Sequence, residues 1–180
     1  MSVTTEQQLR LANRLGALAL HVSDRMAAAT AAEAGRGATA PAALIALSRA
    51  RRHPIEYLRH VLGLSHSATV RVIDRLSDDG LVRRGPGPDA RTVSPQLTAS
   101  GDEAAHRVER ARADVLLGIL TGLDNDDQAT LARILDRLLA QAAVNDDDAT
   151  HLCRLCDVPL CQQRDACPVD EGMAQRHGHP

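Results

Sequence analysis

The chain contains no Phe, no Trp and a single Tyr, Tyr57. A core without aromatic rings has to be filled by Leu, Val, Ile and Ala, which pack well between helices. Lysine is absent as well, so all 21 basic residues are arginines, the side chain that suits phosphate and guanine. No run approaches the ~18 uncharged apolar residues of a membrane span. The start, Met1 to Arg14, is polar and helical rather than basic then apolar, which predicts no signal peptide and a cytoplasmic location. There is no H-E-x-x-H, G-x-S-x-G or phosphate-binding loop. Gly85-Pro86-Gly87-Pro88-Asp89-Ala90 formally fits G-x-G-x-x-A, but two prolines break it and no helix opens from it. His60 and His106 are expected on helical surfaces, and no enzyme activity is expected.

What is present is patterned. Hydrophobic residues make up 44% of the chain, which excludes wholesale disorder. The net charge of −2 hides an asymmetry: residues 49–91 hold nine arginines against five acids, and the rest of the chain twelve against eighteen. A basic segment inside an acidic chain suggests a nucleic-acid face.

The expected fold class is mainly α. Leu11, Leu15, Leu18 and Val22 form one apolar stripe in a first helix from about Thr5 to Ala34. A short helix follows from Ala42 to about Arg51, and a third from Ile55 to Leu62, with Pro54 at its start and Gly63 ending it. Ser65 caps a fourth helix reaching Asp79, whose buried face is Thr69, Val72, Ile73 and Leu76. Leu81–Arg84 and Arg91–Leu97 read as two strands around a proline–glycine turn, with Pro95 tolerated only on an edge. Thr98 or Ser100 caps a fifth helix to about Gly122, and Asp124 a sixth to about Val144. The domains expected are 1–34, an N-terminal dimerisation helix; 42–97, a winged helix-turn-helix; 98–144, C-terminal dimerisation helices; and 145–180, a cysteine-rich tail.

Three short helices, the turn Leu62-Gly63-Leu64-Ser65 and a hairpin describe a winged helix-turn-helix, whose second helix lies in the major groove. Ser65, His66 and Ser67 suit phosphates or bases, Val70 a thymine methyl and Arg71 a guanine. Arg83, Arg84 and Arg91 on the hairpin suit backbone or minor groove. The run from Leu62 to Gly101 resembles MarR-type regulators through Asp74-Arg75-Leu76, Gly80-Leu81-Val82, Arg84, Asp89, Arg91, Leu97-Thr98 and Gly101. Pro86, Pro88 and Pro95 depart from that pattern. The resemblance implies a homodimer with intertwined terminal helices and a DNA-facing set that includes Arg75. It also implies a wing whose Arg91 enters the minor groove, braced by Asp89. Packing Leu11, Leu15, Leu18 and Val22 against Leu131, Ile134, Leu135 and Leu138 across a two-fold axis predicts an inverted-repeat duplex DNA site, with half-sites ~34 Å apart.

All four cysteines, Cys153, Cys156, Cys161 and Cys167, fall near the C-terminus. In a reducing compartment such crowding reads as metal ligation or redox chemistry before disulfides. The spacing C-x2-C-x4-C-x5-C-P sits on a segment too poor in apolar groups to order itself, so a bound metal would offset the entropy. Four sulfurs suit either an iron–sulfur cluster or tetrahedral zinc, and a metal-free thiol switch is the third reading. The closing run Cys161 to Pro168 resembles the C-x5-C-P element of SoxR-like iron–sulfur regulators, although the first half is spaced differently. That resemblance implies a cluster sensing redox or nitrosative signals, acting through the sixth helix. Structural zinc would instead leave sensing to an organic ligand. His151 is a candidate neighbour of the ligand set.

Overall fold

The computed structural model describes residues 5–35, 37–49, 54–86, 93–163 and 167–177. Among the described residues, eight of the nine helices carry out the plan of a winged helix extended at its C-terminus: α1 (Glu6–Ala34), α2 (Ala40–Arg49), α3 (Ile55–Leu62), α4 (His66–Asp78), α5 (Ala99–Leu120), α6 (Asn125–Leu139), α7 (Asp146–Leu152) and α9 (Pro168–His177). The other, α8 (Val158–Cys161), is a single turn. Between α4 and α5 lie the antiparallel strands β1 (Val82–Pro86) and β2 (Val93–Leu97).

Most helix starts follow side-chain capping, which satisfies backbone amides that no helical carbonyl reaches. Thr5 and Gln8 form a reciprocal capping box at α1. The Ser65, Thr98 and Asp124 side chains accept from the Ala68, Gly101 and Asp127 amides at α4, α5 and α6. The register pairs Val82 with Leu97 and Arg84 with Pro95. Both strands of a two-stranded sheet are edges, so Pro95 costs no ladder bond that a central strand would need.

The main core is aliphatic. Helix α2 runs through its centre, with every residue from Ala40 to Leu47 buried. Leu58, Val61 and Leu62 of α3, Val72, Ile73 and Leu76 of α4, Val82 of β1 and Val108 of α5 surround it. Thr69 is fully buried and its hydroxyl donates to the Ser65 carbonyl at 3.0 Å, so no polar group is stranded there.

Helix α6 ends at Leu139, short of the expected Val144. The following residues seat α9: Ala143, Cys167, Val169 and Met173 form a second small core, with Leu139, Ala149 and Cys153 against it. A Cβ added to Gly172 would stand 1.9 Å from the Ala140 carbonyl oxygen, so only glycine permits this approach. Arg176 donates to the Ala140 and Ala143 carbonyls. The tail therefore orders by leaning on the rest of the chain, which its own few apolar side chains require.

The leucine stripe of α1 is uncovered in the single chain. Leu11, Leu15 and Leu18 are exposed, as are Ile134, Leu135 and Leu138 of α6. No helix among the described residues is long and apolar enough to cross a membrane.

Candidate nucleic-acid interface and cysteine site

The turn between α3 and α4 is closed by Gly63, at φ +64°, whose amide donates to the Arg59 and His60 carbonyls. This left-handed conformation is one that side chains disfavour. Because α4 buries Thr69, Val72, Ile73 and Leu76, its opposite face presents Ser65, His66, Ser67, Arg71 and Arg75 to solvent, with Val70 half-buried. Arg75 lies beside Gly37, at the connection between α1 and α2. Arg83 and Arg84 are exposed on β1, and Arg84 ties the hairpin to α4 through Asp74, 3.1 Å away. Being exposed, that pair contributes only ~0.2–1 kcal/mol, so its role is orientation. Glu56 accepts from Arg59 at 2.6 Å, and that bond first of all holds its carboxyl below the usual range. Arg91 and Asp89, the expected wing arginine and its brace, lie outside the described residues.

The four cysteines line one cavity of about 310 Å³, together with Arg49, Tyr57, Arg154 and Asp170. Helix ends bring them there. Cys153 caps α7, Cys156 follows on the next turn, Cys161 closes α8, and Cys167 directly precedes α9. Cys153 and Cys156 share a hydrogen bond, as do Cys161 and Cys167. The Cys153 thiol donates to Cys156, and with Arg112, Arg49 and Arg154 nearby this lowers Cys156 to about 6. As the donor, and by burial, Cys153 is pushed up. Burial and the charge of Cys167 raise Cys161.

Among the described residues no three His, Cys, Asp or Glu side chains are arranged around a single metal ion. Tetrahedral zinc needs all four sulfurs to converge at ~2.3 Å from one centre. An iron–sulfur cluster spreads its thiolates over several irons; the lining offers four thiols for either group, and Arg49 and Arg154 beside them suit an anionic one.

The tail also grips the helix-turn-helix, a contact that nothing in the sequence signals. Asp147 of α7 pairs with His60 Nδ1 of α3 at 2.6 Å. His151 Nδ1 and the Val61 carbonyl oxygen are 2.9 Å apart, and the ring covers Gly63, where an added Cβ would meet it at 3.0 Å. Leu155 packs on the main core, and Arg49 of α2 donates to the Cys153 carbonyl at 3.3 Å. His151 thus faces the turn and does not line the cysteine cavity. With α7 on α3 and α9 on α6, the tail joins the helix-turn-helix to the C-terminal helices. A separate cavity of about 230 Å³ lies where α1, α2 and the tail meet, lined by Met26, Thr30, Pro41, Leu62 and Arg154 among others.

No protein-family model and no curated protein matches the chain. Solved structures do. The YusO protein of Bacillus subtilis superposes with a TM-score of 0.63 at 23% identity, over 77% of this chain and 99% of that one. A MarR family protein from Bacillus stearothermophilus gives 0.63 at 21%, over 74% and 94%. The Mycobacterium tuberculosis MarR family protein Rv2887, solved in complex with DNA, gives 0.54 at 23%, over 72% and 94%. The order of helices, the hairpin and these superpositions agree: the chain has the winged-helix fold of MarR-family proteins.

Proposed function

We propose that this chain is a dimeric, sequence-specific DNA-binding repressor whose operator affinity is set by an iron–sulfur cluster on Cys153, Cys156, Cys161 and Cys167. The observation that carries the reading is the meeting of all four cysteines in one cavity of a segment that holds α3 directly. DNA binding is supported by the exposed polar and basic face of α4, by Arg83 and Arg84 beside it, and by the DNA complex of the related Mycobacterium protein. The exposed leucines of α1 and the apolar residues of α6 supply the two-fold interface, with half-sites of an inverted repeat ~34 Å apart.

When bound, the cluster supplies a crosslink of four thiolates that oxidants and nitric oxide attack. The chain supplies the transmission. While the tail is docked, Asp147 holds His60 and the His151 ring sits on Gly63, which fixes the turn ahead of α4. Release of the tail removes both restraints and leaves α3 and α4 free to shift against α5 and α6.

Anaerobic purification, with visible absorbance and iron and sulfide analysis, tests the cofactor. Binding to a duplex selected from a random library, before and after air exposure, tests the switch. Brown protein whose affinity changes on cluster loss is expected. Colourless, zinc-bearing protein, with Cys→Ser variants that bind as the parent does, would overturn the reading. It would favour a structural zinc tail and an organic effector in the 230 Å³ cavity.

A further inference from the structure

Arg49 stands in the last turn of α2, the helix buried most completely in the core. Its backbone is therefore fixed, and its side chain reaches the cysteine cavity. Nη1 donates to the Cys153 carbonyl at 3.3 Å, while Nη2 is buried without a hydrogen-bond partner among the described residues. An unmet donor on a buried charged group is among the costlier defects in a fold. Of the other polar groups of the cavity, Arg154 donates to the His151 carbonyl at 2.8 Å and Asp170 accepts from Gln162 at 3.4 Å. The four thiols line the same cavity, and a guanidinium is built to hold two acceptors at once.

We propose that Arg49 is a positioning residue of the cysteine site, its guanidinium spanning the Cys153 carbonyl and a sulfur of the bound cluster. This rests on the cluster reading above. It makes Arg49 the link between cluster charge and the centre of the winged helix, and it has an electrochemical signature. A positive charge beside the cluster favours the more negative, reduced state, so removing it lowers the reduction potential.

The test uses the anaerobically reconstituted full-length protein, titrated with dithionite as one-electron donor; the cluster gains one electron, with no bond made or broken. Arg49→Gln is expected to shift the oxidised-to-reduced ratio at least tenfold toward the oxidised form at a given potential, about 59 mV for a one-electron couple. Arg49→Lys keeps the charge but offers one nitrogen for two acceptors. It is expected to lose its visible absorbance in air about threefold to tenfold faster than the parent, as the loss of one hydrogen bond implies. An unchanged potential in Arg49→Gln, or a parental decay rate in Arg49→Lys, overturns the role of Arg49 while leaving the cluster reading standing. A parent that takes up no iron and sulfide overturns both.

Discussion

Replacing Gly63 by Ala perturbs the contact between the tail and the helix-turn-helix at its narrowest point. Two separable costs follow. The residue sits at φ +64°, and a side chain held in the left-handed region costs ~1–2 kcal/mol. The new Cβ would also lie 3.0 Å from the His151 ring, which has to move and give up its 2.9 Å contact with the Val61 carbonyl, about 1 kcal/mol. Gly63→Ala is therefore expected to destabilise by ~2–3 kcal/mol, and His151→Ala by about 1 kcal/mol. With the ring already gone, the double variant should also lose only ~2–3 kcal/mol, so the pair is less than additive by about 1 kcal/mol. Urea unfolding followed by circular dichroism, at fixed protomer concentration, measures all three. Strict additivity within ~0.3–0.5 kcal/mol would mean that the ring does not rest on Gly63, and the proposed transmission route would fall with it.

Gly172→Ala should force α9 off α6, because its Cβ would stand 1.9 Å from the Ala140 carbonyl oxygen; faster trypsin cleavage after Arg154 reports it, and parental resistance would refute it. In metal-free, reduced protein Cys156, lowered to about 6, is a thiolate at neutral pH and loses that form as pH falls through 6. Iodoacetamide at pH 7 should therefore label Cys156 before Cys153 by peptide mass spectrometry, with the preference fading toward pH 5. Leu15→Asp, on the uncovered stripe of α1, should give monomers at micromolar concentration by sedimentation. Arg71→Ala should cost ~1–3 kcal/mol of DNA binding in a sequence-dependent way, whereas Arg83→Ala should weaken all duplexes alike and reduce the salt slope by about one.

The winged helix was legible because its signals are local. Ser65, Thr98 and Asp124 announce helix starts by a chemistry that acts over three residues; Ser65 and Asp124 cap as expected, and of Thr98 and Ser100 it is Thr98 that caps. The buried set Thr69, Val72, Ile73 and Leu76 follows from helical period alone. The tail was legible only as four crowded thiols. Its docking depends on His60, Asp147 and His151, polar residues with no periodic signature, and on a carbonyl that no sequence pattern marks. Gly63 was read for its turn, yet the absent side chain also makes room for a ring from α7. The end of α6 was placed too late, because Ala140–Val144 is apolar enough to continue a helix but is used to seat α9.

The contact between His151 and Val61 spans ninety positions of sequence, and it closes the chain into a ring: α3, α4, the hairpin, α5, α6, α7 and back to α3. Two bodies joined by one strap can pivot; joined at a second, well-separated point they form a triangulated truss. Here the first connection is the core that α2, α3 and α4 share with α5, and α7 to α9 form the second member. Rotation between them then requires that a strut be lifted off at one end, at α3 or at α6, before any angle changes. A chain built this way holds its helix-turn-helix and C-terminal helices in one fixed geometry while the strut is seated, and only the shared core sets their angle once it is not.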